Sequence, residues 1–342
     1  MLRFFRKVRQ RLLLERKTGK YFRYAIGEIL LVMIGILLAL QVNNWNENRK
    51  SSEKSKLLLK QVHKELAFNI NRANAIVKFY RGRDSLVHKI LNKTVTYDDY
   101  KNQRWYHHIL GAAQDVNVVH EAYENLIDNQ DLVAIGQDSI ILKLKKLYGT
   151  NKDELDTMDE LVIKNVFEYL HKLKNEKSWF YDLYTNKKQT DEMIHYFLND
   201  PIYLNRITFY SMTNLTQHMK STLRFRNNAL SVYKEIADYL HIKKDTSIVK
   251  DIHSYKHYIG TYVSNNNHFI YKIKQRQNDL ILEWKHKTDD ATFGEIIFHP
   301  DTKTLFTFRN TSFGELTYNN ANEVTGFIGS KGKDRTLFKK IK

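Results

Sequence analysis

Apolar and polar positions follow three successive patterns along the chain. Residues Tyr24–Val42, reading YAIGEILLVMIGILLALQV, form an almost uninterrupted apolar run. From Asn46 to Tyr80 apolar residues recur at three- and four-residue steps, and after Ile248 short aromatic and β-branched runs alternate with turn residues. These patterns predict a membrane-spanning helix, an amphipathic helical region and a β-rich module, in that order.

The apolar run is long enough to cross a bilayer. At about 1.5 Å per residue, its length corresponds to about 28 Å, close to the ~30 Å of hydrocarbon in a membrane. Residues 1–23 contain nine Lys or Arg and one acidic residue, Glu15. Because positive flanks stay in the cytoplasm, we expect 1–23 to be a basic cytoplasmic tail and 24–42 to span the inner membrane. The rest of the chain is then periplasmic.

A cleaved signal peptide is the alternative to this anchor, since the strictly apolar core Ile29–Leu40 has only 12 residues. The exit from the core lacks a small-x-small cleavage pattern, because Leu37 stands two positions before Ala39. The chain continues instead into Gln41–Trp45, which ends in an aromatic residue suited to the membrane interface. These features favour a permanent signal-anchor.

One face of the predicted span carries small residues. Gly27, Leu31, Gly35 and Ala39 follow one another at intervals of four, and Glu28 places a carboxylate one turn inside the boundary. Small residues let a second helix approach closely, and a charged group in lipid is often functional. We therefore expect Gly27, Glu28, Gly35 and Ala39 to mark a contact with a protein partner or a second copy. Ordinary membrane-helix composition is the alternative.

The region 43–245 is predicted to be an extracytoplasmic helical domain. An apolar stripe, interrupted by Asn69, runs along its first helix. The stripe consists of Leu59, Val62, Leu66, Ala73, Ile76 and Tyr80. Such a stripe indicates either a coiled coil or a helix face packed within one domain. Further helices are predicted after Asp138, over 153–174, and from Asp200-Pro201 to about His241. A short extended piece is expected at Leu132–Ile135. Long first and last helices favour an antiparallel bundle.

Residues 250–342 are predicted to form a small antiparallel β-barrel of about eight strands. Short runs separated by turn residues at a spacing of about 8–12 positions are typical of all-β modules. The runs are Tyr255–Val263, Phe269–Lys274, Leu280–Trp284, Gly294–Phe298, Leu305–Arg309, Glu315–Tyr318, Val324–Ile328 and Thr336–Ile341. The fold class expected for the whole chain is α+β.

Composition restricts the chemistry. The chain has no cysteine, which excludes disulfides, thiolate nucleophiles and cysteine-based zinc sites. Of the net charge of +17, residues 1–23 contribute +8 (nine basic minus one acidic), so the remaining surplus is diffuse. We expect membrane lipid rather than nucleic acid to be the partner of the basic tail.

Two segments resemble known families. Tyr24–Ile29, Ile34–Ile36 and Ala39–Asn46 resemble the N-terminal signature of an uncharacterised family of single-pass envelope proteins of Bacteroidetes-type bacteria, with a weaker likeness through Ala122–Leu126. This resemblance implies location and organisation, and it carries over no catalytic residue. Tyr258–Tyr262, with Leu305-Phe306 and Val324–Phe327, is similar to small barrel modules appended to penicillin-binding and β-lactamase-like proteins. Such modules are usually accessory, so the barrel is expected either to bind a partner or glycan at its mouth or to be purely packed.

The second resemblance prompts a search for serine acyl-enzyme motifs. Ser51–Lys54, Tyr123–Asn125 and Lys17–Gly19 match S-x-x-K, Y-x-N and K-T-G. The K-T-G match precedes the predicted span and Ser51 follows it, so the two are expected on opposite sides of the bilayer. The pairs His253/His257 and His107-His108 lack further ligands at metal spacing, and His120-Glu121 lacks the cysteines of a deaminase.

The sequence therefore predicts a non-catalytic, membrane-anchored envelope protein with an interaction or structural role, and without a cofactor or metal. The alternatives are a periplasmic receptor or sensor subunit, or an enzyme whose site is assembled from residues that no motif reveals.

Overall fold

The computed structural model of the protein describes residues 18–129, 138–186, 188–265, 268–276, 279–288, 294–298, 305–308, 312–331 and 334–341. The architecture is α+β, with helices up to Tyr239 followed by an antiparallel sheet. The described residues fall into two compact units. One contains residues 18–58 with Asn129, and the other contains 59–128 and the described chain from 138 onward.

A single helix, α1, runs from Thr18 to Leu91 and contains both the predicted span and the amphipathic region. The predicted stripe is buried inside the chain's own core, with each of its six members at most 2% exposed. Asn69, which interrupts the stripe, is also completely buried. The stripe is therefore a face packed within the domain, which decides between the two alternatives.

Shorter helices complete the helical region. They are α2 (Tyr97–Asn102), α3 (Glu121–Asp128), α4 (Asp138–Lys146), α5 (Lys152–Glu176), α6 (Asp191–Asn199), α7 (Pro201–Met212) and α8 (Met219–Tyr239). The predicted helices after Asp138, over 153–174 and after Asp200 are confirmed. The Asp200 carboxylate accepts a hydrogen bond from the Tyr203 amide and Pro201 occupies the first turn, as the sequence indicated. The predicted extended piece Leu132–Ile135 lies outside the described residues.

The long helices pack antiparallel. Between α1 and the α8 region, the contacts are His63 with Tyr233, Asn74 with Arg226 and Tyr80 with His218, so one residue number rises as the other falls. Helix α5 shows the same order against α8, through the pairs Asn151–Asn228, Glu154–Arg224 and Asp159–His218. The predicted antiparallel bundle therefore describes how α1, α5 and α8 meet.

Three turns of the π type among the described residues were not predicted from the sequence. They comprise Leu147–Asn151, where the helix is kinked at Gly149 by non-helical backbone angles, Asp182–Asn186 and Thr213–His218. A π-turn closes i→i+5 hydrogen bonds, so it accommodates an extra residue and changes the direction in which later side chains point. The third π-turn, Thr213–His218, joins α7 to α8 and contributes side chains to the buried site described below.

The C-terminal module is an eight-stranded antiparallel sheet in the order β4-β3-β2-β1-β8-β7-β6-β5. Its strands are β1 (Gly260–Ser264), β2 (Phe269–Arg276), β3 (Asp279–His286), β4 (Gly294–Phe298), β5 (Leu305–Phe308), β6 (Ser312–Tyr318), β7 (Val324–Lys331) and β8 (Asp334–Lys340). Strands that follow one another in the chain pair with each other, except β4 and β5, and β1 pairs with β8.

The predicted closed barrel is wrong, because β4 and β5 form the two edges of the sheet. Closure requires a ladder of hydrogen bonds between those strands, and no such ladder joins them among the described residues. Both are short, with five and four residues, so each offers few backbone groups for pairing.

Aromatic side chains dominate the core of the sheet. Phe327 stacks on Phe338 with ring centres 4.4 Å apart, and Tyr271 packs edge-on against Phe338 at 5.0 Å. The first predicted run, Tyr255–Val263, divides into a 3₁₀-helix over Ile252–Tyr258 and strand β1. Tyr255 and Tyr258 still reach the core from that helix, which explains why the apolar pattern resembled one continuous strand. An ion pair between Arg335 of β8 and Asp84 of α1, 3.0 Å apart, joins the sheet to the bundle.

Candidate functional site

The residues predicted to form a helix contact all lie on α1. Gly27, Gly35 and Ala39 are exposed and Glu28 is half-buried. A side chain built at Gly27 or Gly35 would meet no atom within 4 Å, so this face is open to a neighbouring helix. Placement on one helix agrees with the prediction, but contact with another helix stays a prediction.

The apolar surface around these residues is extensive. From Ile26 to Val42 the large apolar side chains are 50–64% exposed. Helix α1 is the one described helix long and apolar enough to cross a membrane, with a mean hydropathy of 2.4 in its most apolar window. None of that window is buried by the rest of the described protein.

Residues of the motif matches lie on different elements of the described chain. Ser51 lies on α1 and Tyr123 on α3, while Lys17 is outside the described residues. His253 and His257 lie on the 3₁₀-helix before β1, where Asp251 caps the helix through the His253 amide. Within the described ranges no group of three His, Asp or Glu side chains is placed to hold a metal ion.

A buried polar network connects three parts of the bundle that are distant in sequence. His218 at the end of the third π-turn accepts a hydrogen bond at Nδ1 from the Tyr80 hydroxyl of α1. Its Nε2 lies 2.6 Å from Oδ1 of Asp159 on α5. Tyr80 and His218 are completely buried and Asp159 is 6% exposed. Because such groups are costly to bury alone, each of them depends on the others.

The hydrogen bonds of this network have a definite direction. Burial raises the pKa of Tyr80 well above its ordinary value, so the phenol keeps its proton and donates a hydrogen bond to His218 Nδ1. Because Nδ1 accepts, the N–H of the His218 ring lies at Nε2 and donates to Asp159. Asn214 interacts with the Tyr80 hydroxyl and opposes the rise of its pKa, and the Thr213 hydroxyl donates to Asn214 Oδ1 at 2.8 Å.

Asp159 also orders the segment 112–120, which has no regular secondary structure. Its Oδ2 accepts the backbone N–H groups of Val116 at 3.0 Å and Asn117 at 3.3 Å. Asn117 has a positive φ of 45°, a conformation that Asn tolerates better than most residues. The network therefore satisfies its donors and acceptors internally and stabilises the fold.

A second buried carboxylate, Glu65 of α1, contacts the first turn of α3. It accepts the N–H groups of Ala122 at 2.7 Å and Tyr123 at 3.3 Å, together with the Tyr148 hydroxyl at 2.8 Å. Burial raises the pKa of Glu65, while these hydrogen bonds oppose the rise. One turn later, Asn69 makes two hydrogen bonds to the backbone of Val119, at 2.7 and 3.0 Å.

A small pocket lies next to the Tyr80 network, between α5 and α7. Asn214 belongs to both, since it lines the pocket and interacts with Tyr80. The cavity volume is about 40 Å³. Its walls are Leu110, Val162, Asn165, Val166, Tyr169, Arg206, Phe209, Tyr210, Thr213 and Asn214.

Sequence reasoning missed this network and pocket. Asp159 and His218 are 59 positions apart and Tyr80 and His218 are 138 apart, so no local spacing connects them. The available signal is a polar residue inside an apolar helix face, as Asn69 shows. Family models, curated proteins and solved structures were compared with the chain, and none of them matches it.

Proposed function

We propose that this protein is a non-catalytic, single-pass membrane-anchored envelope protein with an interaction or structural role. The observation that carries the proposal is the exposed apolar surface of Ile26–Val42, which the rest of the described protein leaves uncovered. Exposing this surface to water is unfavourable, because each Å² of apolar area in contact with water costs about 25 cal/mol of free energy. Lipid hydrocarbon is the medium that matches a segment of this length.

Charge supports the direction of insertion. The nine basic residues of 1–23 precede the span, so the tail stays in the cytoplasm and the bundle and sheet lie on the periplasmic side. The anionic cytoplasmic surface of the membrane also attracts such a tail.

The proposed interaction uses the face of α1 that carries Gly27, Gly35 and Ala39, next to Glu28. Contact through small residues brings two helix backbones close together, and it gives van der Waals packing that lipid chains do not match. The partner is a second copy of the chain or another membrane helix.

The buried polar network offers no accessible group to a substrate. Tyr80, His218 and Asp159 resemble an acid–base relay in composition, but all three are buried and already hydrogen-bonded to one another and to backbone groups. A substrate would have to displace those bonds to reach them. The network accordingly acts as an internal cross-link of three parts of the bundle.

Membrane fractionation tests the anchor. We expect the full chain to stay with membranes in high salt and at alkaline pH, and to be released by detergent. Replacing Ile34 and Leu38 together by Lys should abolish retention, because each Lys at the centre of a span costs about 2.5–3.5 kcal/mol.

Leu57→Lys is the matched control, since Leu57 is an exposed leucine of the same helix beyond the span. Release of the unchanged protein by salt alone would refute the proposal, as would equal retention of the double variant. In-cell cross-linking with mass spectrometry then identifies the protein neighbours, and an isolated protein without neighbours would contradict the interaction role.

A receptor role is the second candidate, favoured by the pocket between α5 and α7, which combines buried polar atoms with apolar walls.

A further inference from the structure

The side chains that line the pocket between α5 and α7 differ in exposure. Tyr210 is 5% exposed, whereas Phe209 is 49% exposed and Arg206 is half-buried. The lining therefore combines a buried tyrosine with side chains that solvent reaches.

Three buried polar groups of pocket-lining residues have no hydrogen-bond partner among the described residues. They are the Tyr210 hydroxyl, the Tyr169 hydroxyl and the Asn165 side-chain nitrogen, Nδ2. A buried polar group without a partner costs about 1–3 kcal/mol, so such groups are rare and usually mark an ion, a water or a ligand. Here three of them belong to residues that line the same cavity.

The polar groups share one character, because they can all donate. The Asn165 nitrogen donates, the Tyr210 hydroxyl can donate, and the Arg206 guanidinium lies over the Tyr169 ring, 5.6 Å from its centre. No Asp or Glu is among the residues that line the pocket in the described structure. The pocket therefore favours a hydrogen-bond acceptor that carries negative charge.

The remaining walls are apolar, formed by Leu110, Val162, Val166 and Phe209. One water molecule occupies about 10–15 Å³ of cavity volume, so the cavity of about 40 Å³ accommodates a ligand of only a few heavy atoms. An inorganic anion would leave the apolar walls unused, whereas a short aliphatic chain would contact them.

We propose that this pocket binds a short-chain monocarboxylate, with its carboxylate against Tyr210, Asn165 and Arg206 and its aliphatic chain against the apolar walls. This inference goes beyond the proposed anchor and does not depend on it, since every lining residue belongs to the second compact unit.

Binding would also affect the buried network. Asn214 lines the pocket and interacts with Tyr80, so a ligand that orders this wall is expected to stabilise the Tyr80–His218–Asp159 network. Any ligand that binds only the folded state raises the melting temperature as its concentration increases.

Calorimetric titration of the full chain in detergent, with sodium propionate as the probe, tests the proposal. We expect saturable 1:1 binding and a rise in melting temperature. Propionamide, propylamine and inorganic phosphate at matched ionic strength should bind at least about tenfold more weakly, because they lack either the charge or the chain.

Two variants localise the binding. Tyr210→Phe and Arg206→Gln should each weaken propionate binding about tenfold, by removing one hydrogen bond to a charged group. Tyr100→Phe and Arg224→Gln are matched controls in the same bundle outside the pocket, and they should leave the affinity unchanged.

The ligand-free proteins separate a binding role from a structural one. Tyr210→Phe removes an unpartnered hydroxyl, so the ligand-free variant should keep its melting temperature or gain slightly. A marked loss of stability would show that the hydroxyl has a structural partner and would overturn the proposal. So would absent propionate binding, unchanged affinity in both variants, or equally strong binding of phosphate.

Discussion

At the residue scale, polar side chains of the long helices form hydrogen bonds with backbone groups that have no partner in a helix or strand. Segment 112–120 has no helix or strand, yet Asp159 and Asn69 accept or donate at the backbone of Val116, Asn117 and Val119. Glu65 does the same for the first turn of α3. Such groups are buried because the chain needs their hydrogen bonds there, so replacing them should be costly.

Asp159→Asn should destabilise the protein by about 2–3 kcal/mol. Both oxygens of the carboxylate accept hydrogen bonds, one from the His218 ring and the other from two backbone N–H groups. The amide of Asn keeps one oxygen and replaces the other by an NH₂ donor, so at least one of these donors loses its acceptor. Chemical denaturation measures the change. Asp153→Asn is the control on the same helix, since Asp153 is exposed, and it should cost less than about 0.5 kcal/mol. Equal losses in the two variants would contradict the role assigned to Asp159.

Two buried histidines predict acid sensitivity. Burial lowers the pKa of His63, which stacks on Tyr233 at 4.0 Å, and of His107. As the pH falls through about 6.5, the unfolded chain binds these protons and the folded chain does not, so the free energy of unfolding decreases. The contribution of the two neutral histidines to the free energy of unfolding is complete above the ordinary histidine pKa. It is lost as the pH falls toward the lowered pKa values of His63 and His107 in the folded protein.

The test compares the wild type with the double variant His63→Gln, His107→Gln between pH 7.5 and pH 5.5. We expect the decrease in unfolding free energy to be smaller in the variant, by up to about 1.4 kcal/mol per histidine per pH unit. Because the other titrating groups are common to both proteins, identical pH dependence would show that neither histidine is held neutral by the fold.

At the element scale, periodicity predicted most elements and missed those that depart from a regular period. The runs Phe269–Lys274 and Gly294–Phe298 correspond to β2 and β4 because alternating or compact apolar runs report a sheet directly. The π-turn Thr213–His218 inserts one extra residue, and neither helix nor strand period anticipates it. Barrel closure depends on β4 meeting β5, a long-range contact that no local pattern encodes.

The small-residue face of α1 predicts a specific cross-link. Since the chain has no cysteine, single cysteines introduced into the span report contacts without background. If α1 self-associates through Gly27, Gly35 and Ala39, Gly35→Cys should form disulfide-linked dimers under mild oxidation in membranes. Met33→Cys lies about 160° away on the helix and should form few.

Equal dimer yields from Gly35→Cys and Met33→Cys would show random collision and remove the proposed contact face. Absence of dimers from both would refute self-association, and the cross-linked neighbours in cells would then identify another helix as the partner.

At the scale of the whole molecule, the sequence predicted the α+β class and the order of its parts, while the buried site required coordinates. Tyr80 was assigned correctly to the apolar stripe of α1, but its hydroxyl partner His218 and the carboxylate beyond it lie on other helices. The pocket with Tyr210 and Asn165 likewise depends on how α5 and α7 meet. Hydropathy, in contrast, acts locally along Tyr24–Val42, so a helix long and apolar enough to cross a membrane could be predicted from the sequence.

The proposed anchor requires that α1 crosses the membrane with the N-terminus in the cytoplasm. Single cysteines at Gly19 and Ala321, both exposed, can be labelled with a membrane-impermeant maleimide in intact spheroplasts. We expect labelling at position 321 before lysis and at position 19 only after the membrane is disrupted. Labelling at position 19 in intact spheroplasts would contradict the orientation, and loss of that cysteine from the mature protein would contradict the anchor.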